Sequence, residues 1–194
     1  MPHVVVIAGP NGAGKSTIAP LLLGDALGVS QFVNADTIAK GLSAFAPEKA
    51  AIAAGRIMLK RLNELAESRS DFAFESTLSN KIFFRFLKKL HDNEYRFTLI
   101  FLWLGTPDLA ISRVAERVKK GGHSIPVTDI RRRYGRAVTN FFQLYMTIAD
   151  EWYFYDNSNA GEPALIAKGT LLKTSKVFSP KIWQNMKKAY EKVK

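Results

Sequence analysis

The spacing of apolar positions changes repeatedly along the chain, and each change marks an element. Residues 3–8 form a continuous β-branched apolar run, which predicts a buried parallel strand. A helix is expected from Lys15 to about Gly24, followed by a short strand at Gln31, Phe32 and Val33. Pro47 opens a long helix in which Ile52, Met58, Leu62 and Leu65 share one face. A short strand at residues 71–74 precedes a helix from Asn80 whose stripe is Phe83, Phe86, Leu87 and Leu90. Residues 96–104 form the most apolar strand, and a helix follows over 108–120. Beyond the Gly121-Gly122-His123 turn, the chain reads as helix from Val127 to about Asp150, then as strand at residues 152–155. Residues 164–172 read as one more strand or a hairpin. Pro180 starts a terminal basic helix with Ile182, Met186 and Tyr190 on one side. Strands alternating with helices predict an α/β fold with a mostly parallel sheet and helices on both faces. In such folds ligands collect at the carboxyl ends of the strands.

Composition narrows the class. At 194 residues, 47% hydrophobic and 23% charged, the chain reads as one globular domain, residues 1–194. The absence of cysteine removes disulfides, thiolate nucleophiles and Cys-based zinc sites. No signal-peptide pattern precedes residue 9, and no apolar run approaches the roughly 18 residues of a membrane span. A cytoplasmic protein without membrane contact is expected. The net charge of +11 is local: residues 113–136 hold eight Lys or Arg against two acids, and residues 170–194 hold seven Lys against one. The tail lysines alternate with Trp183 and Tyr190, a pattern open to nucleic acid or a partner, though a solvated helix face is the favoured reading.

Candidate chemistry centres on Gly9-Pro10-Asn11-Gly12-Ala13-Gly14-Lys15-Ser16-Thr17, placed between a strand and a helix. This is the G-x-x-x-x-G-K-[ST] phosphate loop of P-loop NTPases. Its glycines let successive amides form an anion nest at the positive end of a helix. Lys15 is matched to the β- and γ-phosphates of ATP and the Ser16 hydroxyl to Mg²⁺. Asp36, after the second strand, is the base that accepts a proton from a bound hydroxyl, a holder of a water on Mg²⁺, or the cap of the next helix. Glu75 and Thr77, after the third strand, either bind an acceptor or stabilise the loop. The hairpin over 113–136 predicts a helical lid that brings arginines onto the transferring phosphoryl group. Three consecutive arginines on a helix fan over about 200°, so Arg117 with Arg132 or Arg133 is the expected pair. His123 reads as a turn residue in preference to a phosphate or acceptor contact, and Asp156-Asn157-Ser158 as a plain strand-end turn in preference to a nucleotide contact.

Together these residues resemble the zeta-toxin family of P-loop kinases, in particular its compact members described as predicted ABC-type ATPases. The resemblance runs through residues 9–17, Asn34-Ala35-Asp36-Thr37, Phe74-Glu75-Ser76-Thr77-Leu78 and residues 117–140. It implies an ATP- and Mg²⁺-dependent kinase acting on a UDP-N-acetylsugar such as UDP-N-acetylglucosamine, and an antitoxin partner. Lys15 and Ser16 would bind phosphate and metal, Asp36 would be the base, Glu75 and Thr77 would contact the acceptor, and the lid arginines would hold the γ-phosphate. This chain departs from those toxins in carrying Ser79 and Asn80 where they have an arginine, and in a longer spacing between the lid arginines.

The expectation is therefore a kinase that phosphorylates a hydroxyl of a small-molecule acceptor. A nucleotide or polynucleotide kinase and a non-kinase NTP-hydrolysing switch are the alternatives. A transporter-type ATPase is disfavoured, because neither a Leu-Ser-Gly-Gly-Gln signature nor a hydrophobic-Asp-Glu strand ending is present.

Overall fold

The computed structural model describes residues 1–23, 28–122 and 124–190. The expected helix end at Gly24 and the turn residue His123 lie outside these. Strand β1 (His3–Ala8) is wholly buried from Val4 onward, as its unbroken apolar run requires of a strand covered on both faces. It pairs in parallel with β3 (Phe72–Ser76) on one side and β4 (Arg96–Trp103) on the other. β2 (Phe32–Val33) adds outside β3, and β5 (Glu151–Asp156) outside β4, both in parallel. β6 (Ala164–Thr170) and β7 (Lys173–Val177) extend the sheet antiparallel, giving the order β2-β3-β1-β4-β5-β6-β7. Residues 164–172 thus belong to a hairpin.

The helices are α1 (Lys15–Leu23), α2 (Ala35–Leu42), α3 (Ala51–Glu67), α4 (Ile82–Asp92), α5 (Pro107–Lys119), α6 (Val127–Gln143) and α7 (Pro180–Tyr190). None is long and apolar enough to cross a membrane. Pro47 begins a 3-10 turn, Pro47–Ala50, and α3 follows it. Met58, Leu62 and Leu65 face the core as expected, but Ile52 does not: it is 76% exposed and Ala54 is buried in its place. The long helix after Pro126 stops at Gln143 and gives way to a 3-10 turn at Tyr145–Thr147, seven residues short of Asp150. There Tyr145 is buried and its hydroxyl donates to Asn80 O, so tertiary contacts end the helix without a Gly or Pro.

On α7 the buried residues are Trp183 and Met186, with Ile182 and Tyr190 flanking them. Trp183 stacks on Trp152, centroids 5.5 Å apart, and packs against Phe142 and Phe154. An indole engaged in this way belongs to the core and is not available to stack on a base.

Candidate active site

Four strand ends deliver the chemistry to one place. Gly9 leaves β1 at φ +141°, and a Cβ there would stand 2.1 Å from Leu102 O, so only glycine lets the loop pass β4. Ala13 N–H donates to Pro10 O, which tightens the loop. Among the described residues the amides of Gly12, Gly14, Lys15 and Ser16 donate to no protein group. They stand together at the start of α1, where helix geometry leaves N–H groups without internal partners and the dipole favours an anion. This row of unsatisfied donors fits a polyphosphate.

The Lys15 ammonium is buried, donates to Pro10 O at 3.0 Å and lies 3.6 Å from Glu75. Burial pushes its pKa below the usual lysine value, while the charges of Glu75 and then Asp36 pull it back up. Glu75, near the end of β3, also accepts from the Ser16 hydroxyl at 2.6 Å and from Asn34 Nδ2 at 2.7 Å. One carboxylate therefore ties together the lysine, the serine of the phosphate loop and the residue after β2.

Asn34 is the N-cap of α2: its Oδ1 accepts from the amides of Asp36 and Thr37 at 2.7 and 3.1 Å. The cap alternative for Asp36 thus belongs to Asn34, leaving the Asp36 side chain in the first turn of α2 with no hydrogen-bond partner among the described residues. Leu78, just past β3, is buried with φ +54° and donates its N–H to Ser76 Oγ. Asn140 Nδ2 on α6 holds Leu78 O at 2.6 Å. Such a conformation in a branched residue persists only where its surroundings enforce it, and it presents Thr77 at the strand end.

On the other side of β1, Arg113 on α5 donates to Asn157 O at 2.7 Å and Ser158 O at 3.0 Å. Asn157 Nδ2 donates to Ala13 O at 2.8 Å, and its N–H to Trp103 O. The ends of β4 and β5 and the helix α5 are thereby stitched to the back of the phosphate loop.

The phosphate loop, Asn34, the end of β3 and Arg113 line one cavity of about 630 Å³. Of the sequence candidates, Asn11, Gly12, Gly14, Lys15, Ser16, Thr17, Asp36, Glu75, Thr77, Arg117 and Arg133 line it. Gly9 and Ala13 support the loop from behind. Arg132 is not brought to the cavity: half-exposed, it pairs with Asp129 at 2.6 Å, just as Arg131 pairs with Asp108. The helical fan that limits how many of these arginines can converge selects Arg133. The bracing roles of Asn34, Arg113 and Asn157 were not assigned from sequence; only the first had a local signal, an Asn directly before a helix.

The family model Zeta toxin matches residues 1–160. An uncharacterized protein of Haemophilus influenzae is 28% identical over 130 residues, covering 67% of this chain and 91% of that protein. Among solved structures, the AvrRxo1-ORF1:AvrRxo1-ORF2 complex with sulphate ions matches at TM-score 0.76 and 14% identity; the match covers this whole chain but only 65% of that one. The PezAT toxin–antitoxin system of Streptococcus pneumoniae matches at TM-score 0.65 and 15% identity, over 97% of this chain and 86% of that one. A putative kinase of Chloroflexus aurantiacus matches at TM-score 0.54 and 16% identity, over 68% and 76%. These likenesses identify the fold as that of P-loop kinases, and the family match over most of its length shows that the chain belongs to the zeta toxin family.

Proposed function

We propose that the protein transfers the γ-phosphate of ATP to a hydroxyl of a small-molecule acceptor, with Asp36 as the base. The observation that carries this reading is the convergence, on one cavity, of four free loop amides, Lys15, two arginines and an Asp carboxylate that no cap or ion pair consumes. The amides and Lys15 hold the polyphosphate. Arg117 and Arg133, from the two arms of the α5–α6 hairpin, hold the γ-phosphoryl group, and closure of this lid over 113–136 excludes water. The acceptor oxygen forms its bond to phosphorus as the bond to the bridging oxygen of ADP breaks. The hydroxyl proton passes to the Asp36 carboxylate. Thr77 and Glu75 position the acceptor beside it. An ATP-bound structure of the AvrRxo1 complex supports the choice of nucleotide.

Among the described residues no group of three or more His, Cys, Asp or Glu could cage a metal. The Ser16 hydroxyl and the Glu75 carboxylate 2.6 Å from it are hard oxygen donors of the kind that suits magnesium, which takes one or two protein oxygens and keeps phosphate and water as its other ligands. Ser16 Oγ would be the protein ligand, with the Glu75 carboxylate beside it. When bound, the ion neutralises charge on the phosphate oxygens. A UDP-N-acetylsugar is the acceptor the family suggests. The pairing of toxin with antitoxin in the PezAT system supports a protein partner for this chain as well.

The test is phosphate transfer from labelled ATP to a metabolite extract and to UDP-N-acetylglucosamine, with products read by mass spectrometry. Asp36→Asn should lower turnover by about 10²–10⁴ and leave ATP affinity close to wild type. Wild-type turnover in that variant removes Asp36 as the base. ATP binding without transfer to any metabolite removes the kinase reading.

A further inference from the structure

The phosphate loop, Asp36 and the hairpin arginines leave one wall of the cavity unassigned: Ile52, Gly55, Arg56 and Leu59 on α3, with Asn80 and Ile82 at the start of α4. This wall lies on the β2–β3 side of β1, where α3 packs on α2 and β2. Arg113 and Asn157, which brace the loop, lie on the β4–β5 side. A nucleotide running along the loop with its γ-phosphate at Lys15 and Asp36 places its donor half away from α3, so α3 faces the acceptor.

We infer that Arg56 binds an anionic group, phosphate or carboxylate, on the acceptor, and that the α3–α4 wall takes an apolar or planar part of the same molecule. This rests on the phosphotransfer reading above and names its acceptor class. Four observations carry it. Arg56 makes no hydrogen bond or ion pair among the described residues, unlike Arg61, Arg69, Arg96, Arg131 and Arg132, which pair with carboxylates. The spacing of Ile52, Arg56 and Leu59 puts them on one helix face, and that face is turned to the cavity. Ile52 and Ile82 stand at the mouth 76% and 53% exposed, apolar surface with nothing against it. Gly55, in the interior of α3, has nothing within 4 Å of where a Cβ would stand. Packing does not demand that glycine, and it weakens the helix relative to Ala, but it leaves space for a ligand against the backbone between Ile52 and Arg56.

Charge points the same way. The cavity lining carries five cations, Lys15, Arg56, Arg113, Arg117 and Arg133, against the two carboxylates Asp36 and Glu75. Magnesium with ATP brings about two negative charges, so one positive charge remains for the acceptor to meet.

The experiment saturates the donor site with AMP-PNP and magnesium, equilibrates the protein with a metabolite extract, and identifies what it retains after rapid gel filtration by mass spectrometry. The wild type should retain metabolites that carry phosphate or carboxylate on a ring. Arg56→Ala should retain them about 10- to 100-fold less, and Arg56→Lys should recover part, since it keeps the charge without the planar fork. Gly55→Ala should weaken retention while raising the melting temperature by about 2–4 °C, an opposition that a purely structural role does not produce. Retention of neutral metabolites only, of nothing, or of the same anions by Arg56→Ala overturns the assignment. Exchanging AMP-PNP for ATP separates the two readings. A retained anion that gains no phosphate sinks phosphotransfer and leaves Arg56 as a ligand-binding residue; a neutral metabolite that gains one does the reverse.

Discussion

Asn34 offers the sharpest test of how the site is held together, because its two ends do different work. Its oxygen caps α2 and its Nδ2 donates to the Glu75 carboxylate at 2.7 Å. Asn34→Ala removes a cap worth about 1 kcal/mol and a charge-assisted hydrogen bond worth about 1.5–3 kcal/mol. A loss of about 3 kcal/mol lowers the melting temperature by about 6–12 °C in a chain of this size. Asn34→Asp keeps the cap but sets a second carboxylate where the donor was. Two carboxylates at that separation cannot both stay ionised, so one takes up a proton. Holding a carboxyl of ordinary pKa near 4 protonated costs about 4 kcal/mol at pH 7 and about 1.4 kcal/mol at pH 5. Lys15, 3.6 Å from the other Glu75 oxygen, eases the repulsion, so these figures are ceilings. The folded-state pKa is raised in that variant, so between the two pKa values the folded state holds more protons than the unfolded chain, and stability falls as pH rises. Urea denaturation at about pH 5 and pH 7 reads this directly. Asn34→Ala should sit below wild type by a constant amount, whereas the deficit of Asn34→Asp should widen by up to about 2.7 kcal/mol. A variant Asn34→Asp whose deficit is the same at both pH values would refute the Asn34–Glu75 contact.

Arg133→Ala should lower phosphate transfer by about 10³-fold or more, while Arg132→Ala, which loses a half-exposed pair with Asp129, should stay within about twofold by the small worth of surface pairs; equal losses in the transfer assay would contradict the placement of both. Gly9→Ala drives a Cβ into Leu102 O and should lower the melting temperature steeply and abolish retention on ATP-agarose, whereas at Gly14 the Cβ meets only the Asn157 amide, 2.7 Å away, and the melting temperature should fall less. The lowered pKa of Lys15 has two opposite consequences: ATP affinity should fall with rising pH from below the ordinary lysine range, as the ammonium is lost, while stability of the free protein should rise, because the unfolded chain then binds more protons. Calorimetric titration and thermal melts across that range check both, and Lys15→Met should flatten both.

The parts legible in the sequence were those set by local period and local geometry. The run from Val4 to Ala8 reads as a strand covered on both faces, and the glycine pattern after it, ahead of Lys15, matches that of a phosphate loop. Helix faces were read less well. Ile52 fits the core spacing of α3 as well as Ala54 does, and nothing local says that the start of this helix overhangs a cavity. On α7 the stripe of Ile182, Met186 and Tyr190 sits about one residue off the true centre, because the lysines around Trp183 suggested solvent while the stacking that buries it comes from Trp152, more than thirty positions away. The end of α6 has no breaker, and its termination is written in the contact of Tyr145 with Asn80.

The same division explains the site. A sequence lists which carboxylates end which strands, but not which of them are already spoken for. Asp36 and Glu75 each follow an apolar strand, the first read as base or cap and the second as acceptor-binding or loop-stabilising. Their difference arises because Asn34 takes the cap that Asp36 could have filled and then reaches across to Glu75. Glu75 is consequently engaged by donors from Lys15, Ser16 and Asn34, which occupy most of the acceptor sites of its carboxylate. Asp36 carries no such load. If one of the two takes the proton of an incoming hydroxyl, the hydrogen bonds around them choose Asp36, through a contact between residues 41 positions apart that no local pattern could disclose.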